Sequence, residues 1–251
     1  GHMSVLSGEQ RLMTFTQSEF DIRLEWGEQG VNLLAPISDV VIIVDVLSFS
    51  TSVEIATSRG ATVYPYHGEL DMAQEFSRSV GAELAEKNRD AKYSLSPQSM
   101  LTIPKKIKLV MPSPNGSRLS LSAGITPTMA GCLRNAKSVA ETAAKYGNRI
   151  AVIPAGERWP DGSLRPSFED LIGAGAIIST LSGTCSPEAH ATKSAFESAE
   201  RDLQKLLLQC VSGKELIERG YKDDVLLASK LNVSDCAPIL QDGAYIAMGK
   251  V

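Results

Sequence analysis

The sequence predicts an α/β protein in which helices cover both faces of a mostly parallel or mixed sheet, with a helical C-terminal third. Three observations carry this. The run Val40, Val41, Ile42, Ile43, Val44 is continuously β-branched, as a strand buried on both faces must be. Strand, helix and strand then succeed one another within residues 40–66, which is a βαβ unit. The alternation continues to about residue 181, and helical patterns take over from there.

Residues 20–26 read as an edge strand, in the least legible part of the chain. The strand at 40–46 runs into hydroxyl-rich residues and a helix to about Arg59, with Gly60 placed to terminate it. A strand at 61–66, a helix at 69–80 and a strand at 106–111 come next. The segment 112–116 is turn-rich, and residues 117–123 look helical. A helix at 136–146 and a strand at 149–154 precede a polar loop at 156–166. The remaining helices are expected at 168–181, 187–209, 214–219 and 223–229.

With 251 residues, 43% hydrophobic and 22% charged, the chain can bury a sizeable core and is not disordered in composition. Gly1, His2 and Met3 read as a tag remnant, and residues 4–251 as a single domain. A net charge of -4 argues against nucleic acid or an anionic membrane as partner, and no apolar run approaches the ~20 residues of a membrane span. Four scattered cysteines without a C-x-x-C pair point to a reducing compartment, so a cytoplasmic location is expected. A homo-oligomer is compatible with the sequence.

In open α/β sheets, sites form beyond the carboxyl ends of strands, and three segments qualify. The first holds Asp45, Ser48, Ser50 and Thr51. A carboxylate at the end of a buried strand is costly unless paired or metal-bound, and no helix start claims Asp45. The hydroxyls and the next helix's N–H groups suit a phosphate, while Thr51 and Glu54 alternatively form a capping box. In the second segment, Asn115-Gly116 is a hairpin signal, yet residues 117–123 look helical rather than extended. A glycine allowing close approach, then Ser117 and Arg118, suits an anion. The third segment joins Gly156 and Arg158 to Ser167, Glu169 and Asp170. Ser167 and Asp170 fit a capping box; alternatively the two acids join Asp45 around a divalent cation, whose hard oxygen ligands suit Mg²⁺.

Other motifs are set aside. Gly173-Ala174-Gly175 lies inside a helical pattern and comes after no strand, which excludes a dinucleotide fingerprint. No P-loop, G-x-S-x-G or H-E-x-x-H occurs. Phosphatases with an Asp nucleophile often carry a second Asp two residues later, where this chain has Leu47.

Taken in order, Val44-Asp45-Val46-Leu47, Gly60-Ala61, Asn115-Gly116-Ser117-Arg118, Ala155-Gly156 and Ser167-Phe168-Glu169-Asp170 with Ala174-Gly175 resemble the 2-phosphosulfolactate phosphatase family. The series spans residues 39–178, about half the chain. The resemblance implies a three-layer α/β/α fold and a Mg²⁺-dependent phosphatase of a small phosphorylated substrate. It implies Asp45, Glu169 and Asp170 as the acids around metal and phosphate, with Asn115, Gly116 and Arg118 in a substrate loop. Two departures stand out. The family's arginine after Asp-x-Leu is Ser48 here, and its Gly-Glu-Arg segment is matched to Gly81-Ala82-Glu83-Leu84. Each lost charge-assisted bond is worth about 1.5–3 kcal/mol, so Arg158 and Arg165 are the cations expected to compensate. The alternative is a non-catalytic anion-binding or regulatory protein on the same fold.

Overall fold

The structure, a computed structural model, describes residues 7–8 and 13–248, and the tag remnant expected at residues 1–3 lies outside the described residues. The chain opens with β1 (Ile22–Leu24) and α1 (Gly27–Leu34), then β2 (Val40–Val44), α2 (Phe49–Ser58), β3 (Thr62–Pro65), α3 (Leu70–Val80) and β4 (Glu83–Leu84). After the short α4 (Pro97–Met100) come β5 (Lys108–Met111), α5 (Gly116–Leu121), β6 (Thr128–Gly131), α6 (Ala136–Ala143) and β7 (Ile150–Pro154). A small hairpin of β8 (Glu157–Arg158) and β9 (Leu164–Arg165) precedes the helices α7 (Phe168–Thr180) and α8 (Pro187–Ala199). Three further helices succeed them, α9 (Leu203–Gln209), α10 (Val211–Glu218) and α11 (Lys222–Ala228), and then β10 (Pro238–Gln241) and β11 (Ala244–Ala247).

Among the described residues the main sheet has nine strands in the order β1-β7-β2-β6-β10-β11-β3-β5-β4. It is mixed. The blocks β1-β7-β2-β6 and β3-β5-β4 are each parallel, and the antiparallel β10–β11 hairpin joins them. The α/β expectation holds, but the C-terminal third is not helical to its end: its last two strands sit mid-sheet. The helix expected at 187–209 is broken by a 3₁₀ turn at Glu200–Asp202. The edge strand expected at 20–26 is β1, at the end of the sheet.

Why β2 is continuously apolar is plain from its two faces. Val40, Ile42 and Val44 pack with Ile150 and Val152 into the core formed with α6, α7 and α8. Val41 and Ile43 pack with Ala151, Ile153, Val31, Leu34 and Leu119, the last three from α1 and α5. A strand buried on both faces has no position for a polar side chain. Gly60 behaves as expected: its φ is +84° and its N–H bonds the Thr57 carbonyl, while Ala61 N–H bonds Ala56, closing the helix in a Schellman turn. No helix among the described residues is long and apolar enough to cross a membrane.

The Gly173-Ala174-Gly175 segment serves packing. A Cβ on Gly173 would lie 2.6 Å from Val46 Cγ2, and one on Gly175 2.3 Å from the Thr192 carbonyl oxygen. The first lets α7 press against the loop leaving β2; the second lets α8 lie close along α7. Gly173→Ala is therefore expected to destabilise the protein by about 1–3 kcal/mol, read as a lower urea midpoint. An unchanged midpoint would show that the α7–β2 contact has slack.

Candidate active site

Beyond β2 the chain turns through Asp45, Val46 and Leu47 into α2, and side chains fasten that turn. Ser50 Oγ donates to the Ile43 carbonyl (3.1 Å) and accepts from Asp45 N–H (3.0 Å), while Thr51 Oγ1 donates to the Val46 carbonyl (2.6 Å). Both hydroxyls are committed to backbone, so they brace the turn instead of offering themselves to a phosphate. Neither capping box forms. Thr51 lies inside α2, Glu54 pairs with Arg134 Nε at 2.9 Å, and the Ser167 hydroxyl donates to Asp170 instead of accepting from its helix.

Asp170 is the tie between three segments. Its Oδ1 accepts Val46 N–H (2.8 Å), and its Oδ2 accepts Gly156 N–H (3.0 Å) and the Ser167 hydroxyl (2.6 Å). The loop after β2, the exit of β7 and the first turn of α7 are thereby held on one fully buried carboxylate. Burial first, then Glu169 and Asp45, hold its carboxyl well above the usual range.

Around this tie the acids crowd. Asp45 is 4% exposed and Glu169 1%. Burial and then the Glu169 charge push Asp45 up to about 7, against the Gly116 N–H and Arg89, which favour its ionised form. Glu169 is raised by burial and relieved in part by Ser212; Cys210 Sγ donates to its Oε2 over 3.8 Å, while its Oε1 has no hydrogen-bond partner among the described residues. A fourth acid joins them. Glu157, on β8, is pushed to about 8 by burial, then by Asp45, Glu169 and Glu215, with Arg165 opposing. Sequence reasoning misses it, because an acid in a polar loop carries no local signal of burial.

Asp45 and Glu157 line a pocket of about 280 Å³ together with Ser48, Phe49, Lys87, Arg89, Ser113, Asn115, Ser212, Glu215 and Arg219. Gly116 is needed beside it, because a Cβ there would fall 2.1 Å from Phe49 Cδ1. Not every expected residue arrives. Ser117 Oγ donates to the Met111 carbonyl (2.6 Å) and accepts from Ser113 N–H (3.2 Å), a brace like Ser50. Arg118 pairs with Glu28 and, with Arg158, borders a separate depression beside Trp26 and Leu164. Arg158 donates to the Gly162 carbonyl (2.9 Å), and Arg165 lies 5.4 Å from the Trp159 ring centre. Glu83 is exposed in the edge strand β4 and does not line the Asp45 pocket. Gly156, at φ +74°, contributes its N–H to Asp170.

The cations at the pocket are ones the sequence did not single out. Arg89 Nη2 donates to Ser48 Oγ (3.0 Å) and Nη1 to Asp224 Oδ2 (2.7 Å). Lys87 and Arg219 stand with it along the wall. The guanidinium beside Ser48 thus comes from the loop after β4, while Arg158, one of the two cations expected there, points elsewhere. Among the described residues, no three His, Cys, Asp or Glu side chains are arranged as a ready-made metal cage.

The comparisons with known proteins give the family. The family model described as 2-phosphosulpholactate phosphatase matches residues 31–243, and the chain belongs to that family. It is 28% identical to the 2-phosphosulfolactate phosphatase of Methanothermobacter thermautotrophicus, over 85% of this chain and 92% of that protein. It is 29% identical to a probable 2-phosphosulfolactate phosphatase of Carboxydothermus hydrogenoformans, over 82% of this chain and 89% of that one. A probable 2-phosphosulfolactate phosphatase of Pseudothermotoga lettingae is 23% identical over 82% and 92% respectively.

The raised Glu157 carboxyl sets a pH test. A carboxyl near 8 when folded and 4.5 when free binds more protons in the folded state, so its contribution is full below about pH 4.5 and lost as pH rises through 8. Without added metal, Glu157→Gln should match the parent's melting temperature at pH 5 and exceed it at pH 8.5. Equal melting temperatures at pH 8.5 would contradict the electrostatic crowding of the four acids.

Proposed function

We propose that this member of the family is a Mg²⁺-dependent phosphatase acting on a small phosphate monoester of an acid. The observation that carries it is Glu169 Oε1, an acceptor buried without a partner among the described residues, on a carboxylate whose charge raises both Asp45 and Glu157. Burying an unpaired carboxylate oxygen is costly, and like charges beside it add to the cost. A hard divalent cation relieves both. Oxygen donors from Asp45 and Glu169 fit Mg²⁺, which is commonly held by one or two carboxylates plus water and substrate phosphate, so a three-acid cage is not required. Glu157 completes the acidic wall, and Asp170, with its oxygens already engaged, positions the others.

Bound there, the ion would neutralise phosphoryl oxygens and lower the pKa of a coordinated water. The chain's own residues supply the rest. The Gly116 N–H and the Asp170 tie fix the Asp45 loop, so the acidic end needs no rearrangement. Ser48, Ser113, Asn115 and Ser212 offer polar groups along the pocket. Its volume, about 280 Å³, falls at the bottom of the range for small-molecule sites (roughly 300–1,000 Å³), which favours a short acid over a nucleotide. The relatives' printed substrate, 2-phosphosulfolactate, belongs at the head of the panel. Ser48 in place of an arginine argues for a different arrangement around the rest of the molecule.

Two measurements test the reading. Across a panel of small phosphate esters, turnover should require Mg²⁺, and Asp45→Asn should lower it by more than about a hundredfold, since losing even an outer partner of a metal costs 10–100-fold. Equal background in parent and variant across the panel would favour the non-catalytic anion-binding alternative. Mg²⁺ should also stabilise the folded state, by about 2.7 kcal/mol at a hundred times its dissociation constant, and Glu169→Gln should remove most of that effect. No stabilisation of the parent by Mg²⁺ would rule out the metal.

A further inference from the structure

A second depression, of about 320 Å³, reaches the buried acids from the side of α9 and α10. It is lined by Glu169 and Cys210 with Arg165, Phe168, Leu206 and Gln209, and it shares no lining residue with the Asp45 pocket. Cys210 sits half-buried at the junction of the two helices. Its Sγ accepts Gly213 N–H (3.4 Å), and its single proton serves either the Leu207 carbonyl (3.1 Å) or Glu169 Oε2 (3.8 Å). The second contact is long for a hydrogen bond. On the same carboxylate, 1% exposed, Oε1 has no partner among the described residues. Arg165 favours the ionised Glu169 but lies over the Trp159 ring, 5.4 Å from its centre, and makes no ion pair among the described residues.

The spacing suits a metal ion better than a proton. Tetrahedral zinc holds a thiolate sulfur at ~2.3 Å and a carboxylate oxygen at ~2.1 Å, which places sulfur and oxygen about 3.6 Å apart. Cys210 Sγ and Glu169 Oε2 stand 3.8 Å apart, so such an ion fits between them with little movement of either side chain. Sulfur also selects the ion, because Mg²⁺ takes oxygen donors and thiolates take softer metals. Burial and then the Glu169 charge push the Cys210 thiol up to about 11, and a dication between the two groups cancels the second cause.

We propose that Cys210 and Glu169 form a binding site for a thiophilic divalent cation of the Zn²⁺ class, with water completing the coordination, and that this ion competes with Mg²⁺ for Glu169. As it binds, Cys210 gives its proton to solvent and a sulfur–metal bond replaces the S–H bond, with no change of oxidation state. Two protein donors make no closed cage, so the ion exchanges and acts as a regulator instead of a structural metal. The site stands on its own geometry; its effect on turnover rests on the phosphatase reading.

The test adds Cd²⁺ or Zn²⁺ to the full chain without Mg²⁺. Cd²⁺ should raise a thiolate-to-metal charge-transfer absorption that saturates at one ion per chain, is lost in Cys210→Ser and persists in Cys185→Ser; Cys132 and Cys236 are buried. Serine is a good helix N-cap, so the first variant keeps the start of α10. Glu169→Gln should weaken Cd²⁺ binding by at least the roughly 10–100-fold that an outer partner of a metal is worth. No absorption in the parent, a band retained by Cys210→Ser, or an affinity unchanged in Glu169→Gln overturns the proposal. Should Glu169→Gln not fold, alkylation of Cys210 in the parent decides: Zn²⁺ should slow it, and a rate indifferent to Zn²⁺ overturns the site. Excess Mg²⁺ should move the Cd²⁺ titration to higher concentration, and a titration that stays in place ends the competition. Where an ester is turned over, Zn²⁺ should inhibit the parent and Cys210→Ser should resist it; equal inhibition of both refutes the regulatory role. If no ester is turned over, the phosphatase reading alone fails, and the absorption still decides the metal site.

Discussion

The architecture of the site depends on one buried carboxylate whose two oxygens are both engaged by the chain. Asp170 receives Val46 N–H, Gly156 N–H and the Ser167 hydroxyl, and those three groups belong to the segments that carry Asp45, Glu157 and Glu169. A carboxylate with no exposed surface is normally destabilising, since desolvation outweighs what neutral donors return. Here the burial has a structural use. Three chain segments distant in sequence are referenced to one point, so the acids around it are positioned by short, directional bonds instead of by loose loop packing.

That positioning creates a second constraint. Burial is the largest cause of the raised carboxyls of Asp45, Glu157 and Glu169; the Glu169 charge adds to the rise at Asp45, and Asp45 and Glu169 both add to the rise at Glu157. Without a cation, the cluster relieves itself by taking up protons. Were the proposed cation bound, the same crowding would become affinity, because the ion would replace the protons that the cluster otherwise takes up. The basic end is arranged differently. Arg89 is matched by Asp224, so the cation that faces Ser48 stays in place whether or not a ligand is present.

Much of the scaffold is legible in the sequence because it comes from local pattern. The β-branched run at Val40–Val44 marks β2, and Gly60 marks the end of α2. The strand Thr128–Gly131 leaves no such trace, being short and small-residued. The final hairpin does leave one: Asp242 and Gly243, both at positive φ, are the Asp-Gly turn that joins two short strands. The helical patterns that dominate the C-terminal third obscure it. Among site residues, Asp45 is readable as an acid that no helix start claims, while Glu169 and Asp170 read equally as first-turn acids of a helix or as site residues. Ser50, Thr51 and Ser117 mislead, because hydroxyls near a strand end can bond the backbone just left behind, and nothing in the sequence distinguishes that from ligand binding.

Arg118 and Arg89 show where sequence reasoning about charge reaches its limit. Arg118 stands two residues past a glycine that approaches the pocket closely, yet on a helix two residues is more than half a turn. Its guanidinium therefore leaves the pocket and finds Glu28. Arg89 lies in a loop with no motif, and the partner that aims it, Asp224, is on α11 in another part of the chain. A guanidinium reaches Ser48 from a distant loop because the buried Asp224 holds its other end. The place of that charge is defined by Asp224 and Tyr221 as much as by Arg89. An arginine missing from a motif is therefore weak grounds for inferring a missing cation.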